Sequence, residues 1–373
     1  GSECNLVIPT FRWESILMLI NCNSCGDSML ESPPSWQPLN SSLPPSSLAF
    51  EHEKEWLESG VDRGIICLNV QTLCDTAIDP FTHEVSYSIA EHLHWSVTRF
   101  GQEARANVRG WWVSGIDPFS DWQRMEWGRF KPDADTPVFD RANRKPAKYL
   151  SPSLGKGSSR LVLLDVPEAI WQQVADRYQV PIPTGLEDKP SFWQWVWQNN
   201  LPLILTEGEK KAGCLLSLGY VAIALPGIFS GYRRDTRQLI AELAHFATAG
   251  RSVHICFDHE TKPKTIQNIL LATSRLGQLL TRAGCEVKII ALPGPQKGVD
   301  DFVVACGEEA FAEVHESAIS LEFWQAARLW SLTYMPTVAL NQPYLGDLAY
   351  PESGLVGVKS PKGTGKTTAL QNL

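Results

Sequence analysis

The chain has 373 residues, 43% hydrophobic and 20% charged, with a formal net charge of −8. That is the balance of an ordinary soluble globular protein, long enough for two or three domains with cores of their own. The negative sum does not advertise nucleic-acid binding, although an average can hide a local patch, and no apolar run approaches the roughly 18 residues of a membrane span.

Nine cysteines, an odd number, sit mostly inside apolar segments (Cys214, Cys256, Cys285), as expected of reduced thiols in a cytoplasmic protein. Cys22-Asn23-Ser24-Cys25 has zinc-knuckle spacing that Cys4, His52, Cys67 or Cys74 could complete. No second Cys-x-x-Cys follows, which favours ordinary thiols. The early run ILMLI is too short for a signal sequence and follows Glu14.

Residues 1–30 show no period, and 31–48, rich in proline and serine, predict a linker or surface loop. A short helix is expected over Phe50–Ser59, stopped by Gly60. Residues 65–100 alternate without settling on one element. Residues 99–160 hold twelve Lys or Arg against seven Asp or Glu, a net +5. Among these cations Arg129, Lys131, Arg141, Arg144, Lys145 and Lys148 are the candidate DNA contacts. Trp111, Trp112, Trp122, Trp127, Phe130 and Tyr149 are interleaved with the basic residues of this stretch. Cations among rings suit single-stranded DNA, whose phosphates pair with guanidinium groups while its bases stack. The alternative is that the rings are core and the cations a solvated face.

Arg160–Val166 predicts a strand, Pro167–Tyr178 a helix opened by proline, and Phe192–Asn200 a short aromatic helix. From Leu201 onward, short Val/Ile/Leu runs alternate with amphipathic segments. Strands are expected at Leu201–Thr206, Tyr220–Leu225, Ser252–Phe257 and Glu286–Leu292. Helices are expected at Glu209–Leu218, Asp235–Thr248 with Asp235 as cap, Lys264–Ala283 and Asp300–Ala305. Residues 309–333 are helical by pattern, and a loop leads on to Leu355–Lys359. The alternation predicts an α/β fold, a mainly parallel sheet flanked by helices, preceded by a mixed α+β basic region. The chain then divides into 1–48 (terminal segment and linker), 49–190 (basic, aromatic-rich), 191–310 (α/β), 311–345 (helical) and 346–373.

In open parallel sheets ligands sit beyond the carboxyl ends of the strands. That edge carries Glu207, Asp258, Glu260, Asp300 and Asp301, with Lys210, Lys211 and Lys297 beside them. Acids at three strand ends of one edge repel one another unless a cation joins them. Mg²⁺ takes such oxygen ligands and bridges to phosphate oxygens. The bland alternative for Glu207 and Asp300 is helix capping. The lysines could pair with triphosphate oxygens or merely neutralise the acids.

The chain ends on SPKGTGKTTALQNL, where Ser360–Thr367 fits the phosphate-binding loop except that serine replaces its first glycine. Gly363, Gly365, Lys366 and Thr367 would hold the phosphates and Mg²⁺ of ATP. The motif is expected to be the front end of an ATPase domain and, by itself, inert.

Thr206-Glu207-Gly208-Glu209, Phe257-Asp258-His259-Glu260 and Gly298-Val299-Asp300-Asp301-Phe302 resemble the three motifs of the toprim domain, the Rossmann-like metal-binding fold of DnaG-type primases, phage primase-helicases, topoisomerases and some nucleases. The fuller pattern TEGEKKA, LPG, FDHE and KGVDDF follows KYLSPS (Lys148–Ser153). It is similar to the toprim-like domain of large cyanobacterial plasmid replication proteins, where a helicase-type ATPase comes next. The resemblance spans roughly residues 50–310, and SPKGTGKTTAL is similar to the P-loop of origin-binding helicases. It implies that Glu207 is a metal ligand or general acid/base, that Asp258 and Glu260 hold divalent ions, and that Asp300 and Asp301 form the trailing acidic motif. Glu260 departs from the family, in which an aspartate is usual, and its longer carboxylate shifts any ion it reaches. The implied activity is primer synthesis on single-stranded DNA from nucleoside triphosphates with Mg²⁺ or Mn²⁺, coupled to a C-terminal helicase domain of the same chain, with no membrane partner. Toprim nuclease- or topoisomerase-type cleavage and a non-catalytic DNA- or origin-binding module are the alternatives.

Overall fold

The computed structural model of the protein describes residues 48–78, 81–96, 108–139, 145–152, 160–184, 189–333, 344–345 and 350–351. The Pro/Ser-rich segment, Cys22 and Cys25, Arg141 and Arg144, and Gly363, Gly365, Lys366 and Thr367 lie outside them.

Helix α1 (Phe50–Leu57) buries His52 and Trp56 on one face. Helix α2 (Arg63–Asn69) starts where the Asp62 carboxylate accepts the Gly64 N–H at 2.7 Å. There follow β1 (Val70–Cys74), the small hairpin β2 (Ala77–Ile78) and β3 (Val85–Ser86), and α3 (Ser88–His92). Residues 65–100 show no single period because these short elements succeed one another there. Strands β4 (Arg109–Ile116) and β5 (Arg124–Pro132) pair antiparallel, and β1 joins β4 to complete a three-stranded sheet.

After α4 (Glu168–Tyr178) and the aromatic α5 (Phe192–Gln198) comes the α/β part: β6 (Leu203–Glu207), α6 (Glu209–Ser217), β7 (Ala222–Leu225), α7 (Ala241–Phe246), β8 (Ser252–Cys256), α8 (Pro263–Arg282) and β9 (Glu286–Ile289). The four strands are parallel in the order β9-β8-β6-β7. Strands β6, β7 and β8 are nearly continuous apolar runs because helices cover both faces of such a sheet. The chain steps outward from β6 to β7, then returns to the other side of β6 to lay down β8. The order therefore reverses between β6 and β8, and the crevice beyond their carboxyl ends is where such folds bind ligands. Helices α9 (Val299–Cys306) and α10 (Glu308–Glu316) follow β9. One hydrophobic core runs from Trp56 to Leu321 and draws on side chains from both sides of residue 190. Among the described residues no helix is long and apolar enough to cross a membrane.

Arg160–Val166, expected as a strand, contributes a single antiparallel bridge instead. Leu161 to Leu164 are fully buried and serve two sheets at once. Val162 exchanges hydrogen bonds with Ala224 of β7 (3.0 and 3.2 Å), while the Leu163 carbonyl accepts the Ile116 N–H of β4 at 2.8 Å. At this seam Gly115 has no room for a side chain, since a Cβ would lie 2.6 Å from Leu163 N and 2.7 Å from Leu163 O. Gly115→Ala should therefore cost about 1–3 kcal/mol by forcing backbone apart. The loss is read as a lower urea midpoint at constant slope; an unchanged midpoint would show that the seam yields freely.

Two helices are shorter than their patterns suggest. The one expected over Asp235–Thr248 begins only at Ala241. Upstream, Arg233 and Gln238 close a turn at 2.8 Å, Tyr232 bridges Leu239, and Arg237 adopts a left-handed φ of 54° that no helix accommodates. Asp235 accepts the N–H of its neighbour Thr236 and caps no helix. The pattern over 309–333 is interrupted by β10 (Ile319–Ser320), which the edge strand β9 captures antiparallel through Ile319 and Ile289 before α11 (Leu321–Thr333) begins.

Candidate active site

Glu207 is the last residue of β6, paired in register with Leu225 of β7. The strand passes into α6 within one residue, and Gly208 makes that turn with a left-handed φ of 96° that a side chain would resist. Asp258 follows the neighbouring β8, so Glu207 and Asp258 flank the crevice where strand order reverses. The Lys297 carbonyl accepts the His259 N–H at 2.8 Å, tying the Asp258 loop to the turn before α9. That turn brings Asp300 to the same edge.

Lys211 of α6 lies among the three acids, with Nζ 2.9 Å from Asp258 Oδ1. Burial opposes its charge, but the attraction of Asp258, Asp300 and Glu207 outweighs burial and raises its pKa. Burial, then the charge of Asp258, pushes the Glu207 carboxyl upward. Asp300 is also raised, chiefly by burial, with Lys211 pulling the other way. Asp300 Oδ1 is sealed from solvent and accepts no hydrogen bond. These are hard oxygen donors short of positive charge, a chemistry that suits Mg²⁺ or Mn²⁺. In this structure the cation they share is Lys211.

A band of positive charge borders the acids. Burial and then the charges of Lys211, Lys131, Lys297 and Lys210 lower the pKa of the exposed Lys148. Glu55 of α1 holds part of this band in place. It accepts from Lys131 (2.6 Å), Lys210 (3.0 Å) and the Trp111 indole (3.0 Å). Burial alone would raise its pKa, but these donors bring it down to about 2.

Residues 192–310 match the model of a domain family of unknown function, DUF3854. A curated relative, an uncharacterized protein of Picosynechococcus sp. (strain ATCC 27264 / PCC 7002 / PR-6), is 36% identical over an alignment of 343 residues that covers 87% of this chain. The chain spans 33% of that relative's length. Similar solved structures are primase domains. The zinc-binding and RNA polymerase domains of the Aquifex aeolicus primase give a TM-score of 0.43 at 15% identity over 73% of this chain and 57% of that one. A DnaG primase catalytic domain bound to single-stranded DNA gives 0.42 at 15% identity over 81% and 82%. The DnaG catalytic core gives 0.41 at 15% identity over 80% of each.

The five carboxylates named from sequence do not form one ligand set. Among the described residues no three His, Cys, Asp or Glu side chains stand close enough to hold an ion together. Glu260 is drawn to Lys297 at 2.5 Å. The exposed Asp301 caps α9, its carboxylate accepting the Gly298 N–H at 3.1 Å. Lys211 contacts Asp258 directly and is attracted by the charges of Asp300 and Glu207.

The basic stretch needs a larger correction. Trp111, Trp112, Trp127 and Phe130 are buried core and offer no platform for bases. Arg129, expected to contact DNA, is a buried partner of Glu209 at 2.8 Å, with its guanidinium 4.2 Å from the Tyr149 ring. Lys131 is held by Glu55. Exposed cations of this stretch among the described residues include Lys145 and Lys148. The sequence reading missed Glu55 and Glu209, whose partners lie far along the chain and leave no local signal.

Proposed function

We propose that this chain is the primer-synthesising module of a replication protein, transferring nucleotides from nucleoside triphosphates to a growing 3′ end on single-stranded DNA. The observation that carries this reading is the placement of Glu207 and Asp258 on either side of the sheet's reversal point, with Asp300 behind them and lysines on the rim. Glu207 and Asp258 would hold a Mg²⁺ or Mn²⁺ ion, whose Lewis acidity stabilises charge on the transferring phosphate. Lys211 would have to give up Asp258 for that carboxylate to take such an ion. Freed, the Lys211 ammonium is placed to pair with phosphate oxygens, and Lys210, Lys148 and Lys297 extend the same positive field toward an arriving triphosphate. Lys145 and Lys148 are the exposed cations offered to the template. The resemblance of the TEGE, FDHE and VDDF segments to toprim motifs supports the assignment.

The test is primer synthesis by the 373-residue chain on single-stranded DNA with Mg²⁺ or Mn²⁺. Glu207→Gln and Asp258→Asn should each reduce product by about a hundredfold or more, in line with removal of a group acting on the transition state. No product from the wild type would overturn the reading.

The Lys211–Asp258 pair favours a second reading, a DNA-binding module that performs no chemistry because its own lysine replaces the ion. DNA binding indifferent to EDTA and to Asp258→Asn, without synthesis, would select it.

A further inference from the structure

A second cleft, of about 310 Å³, lies between the loop after β7 and the outer face of α8. Arg234 and Arg237 come from the loop. Arg275, Gln278 and Arg282 come from one face of the helix, at positions i, i+3 and i+7. Helix α8 starts beside the acids, where β8 ends, and runs back toward the opposite edge of the sheet. Its C-terminal half therefore carries this cleft away from the site already described.

We propose that this cleft binds a phosphate chain, supplied by a free nucleoside triphosphate or by a nucleic-acid backbone. Three observations converge. First, the wall holds four guanidinium groups and no carboxylate. Elsewhere Arg63, Arg109, Arg124, Arg129, Arg160 and Arg177 each meet an acid within 3.9 Å. The four cleft arginines form no ion pair among the described residues. Asp235, the acid between Arg234 and Arg237 in sequence, gives its carboxylate to the Thr236 N–H at 2.8 Å. Arg234 stacks over Phe229 at 4.8 Å, a contact through its flat face that leaves its N–H edge to other partners.

Second, Tyr232 on the same wall is only 6% exposed, and its hydroxyl has no hydrogen-bond partner. A buried hydroxyl without a partner is costly unless something supplies one. Third, Arg237 is held in the left-handed region at φ 54°, a conformation an arginine rarely adopts, by the turn that closes the loop. Clustered planar forks of this kind suit phosphate oxygens, which take two parallel N–H bonds from one guanidinium. Four positive charges match the charge of a triphosphate better than that of one isolated phosphate.

The experiment is titration calorimetry of inorganic triphosphate into the full 373-residue chain in EDTA, so that the acidic site takes no part through a metal. Arg275→Ala/Arg282→Ala, on an exposed helix face, should weaken binding about tenfold or more, and the corresponding lysine pair should weaken it less, because charge remains while the fork is lost. Thermal unfolding checks that the variants fold. Arg234→Ala/Arg237→Ala gives the same test from the loop side should the helix variant fail. Lys54→Ala, an exposed lysine of α1 outside both sites, should leave this binding intact. Anisotropy of a labelled oligothymidylate separates the sources. If the arginine variants lose the oligonucleotide as well, a strand supplies the phosphates; if they lose triphosphate alone, a free nucleotide does. Wild-type affinity for both probes in the folded variants, or triphosphate binding abolished only by Lys148→Ala, would overturn the proposal.

Discussion

Arg129→Met is expected to destabilise the protein by about 3–5 kcal/mol, the usual cost of leaving one charge of a buried pair without its partner. Arg129 is 9% exposed and Glu209 is 1% exposed, at 2.8 Å. Glu209 is the first residue of α6, where the helix dipole favours a negative group, but an unpaired carboxylate at that depth still lacks a counter-charge. The pair joins β5 of the antiparallel sheet to the helix that carries Lys210 and Lys211, so losing it loosens the element that lines the acids. Adding Glu209→Gln to Arg129→Met should restore much of the loss, because the stranded charge is then gone. Urea unfolding of the two single variants and the double variant measures the coupling. A loss below about 1 kcal/mol in Arg129→Met would mean that Glu209 finds water or takes up a proton, and that the pair does not hold the two sheets together.

The same pair shows why the sequence could be read for elements more readily than for partners. Strand β6 is legible in Leu203–Thr206 because a strand buried on both faces must be apolar throughout, and Glu207 is legible as its end because a carboxylate cannot continue such a run. The Gly208 turn and the return from β7 to β8 follow from the order of strands and helices. Arg129 and Glu209, in contrast, are 80 residues apart, and either alone looks like a surface charge. A basic, aromatic segment of the same composition can be a nucleic-acid track or a folded sheet, and burial of Trp111 and Trp127 is decided by tertiary packing. Lys211 was visible beside the acids, yet its role as their shared counter-ion depends on a side-chain direction that spacing leaves open. The loop at 231–240 failed for a different reason. Its polar composition also fits a helix start, and only the closure between Arg233 and Gln238 stops the helix from forming there.

Acidification from neutral pH to pH 5 should remove about 2 kcal/mol of stability through His254 alone, in a range where ordinary carboxylates change little. His254 lies on β8, 6% exposed, with its ring 4.6 Å from that of His315 on α10 and its Nδ1 buried without a partner. Burial first, then the nearby His315 and Lys288, lower its pKa from 6.5 to about 4. His315 is lowered as well, by burial and by Arg177 and Lys288. The folded state thus keeps both rings neutral while the unfolded chain takes up protons below its ordinary histidine pKa. The unfolded state binds more protons throughout that window, so stability falls as pH drops from about 6.5 toward 4. Glu55 acts with the same sign in a lower window, because its folded pKa of about 2 lies under the ordinary glutamate value of 4.5. The raised Glu207 and Asp300 act with the opposite sign, since protonation relieves their burial and repulsion. The His254 contribution is read between pH 6.5 and 5, where ordinary carboxylates change little, and comparison with a variant lacking the ring separates it from the raised Glu207 and Asp300. Urea unfolding across that range should show a declining midpoint in the wild type and a flatter profile in His254→Leu, which fills the same space without a titrating group. Equal slopes in the two proteins would show that protonation at β8 is accommodated, for instance by the ring turning toward solvent past His315.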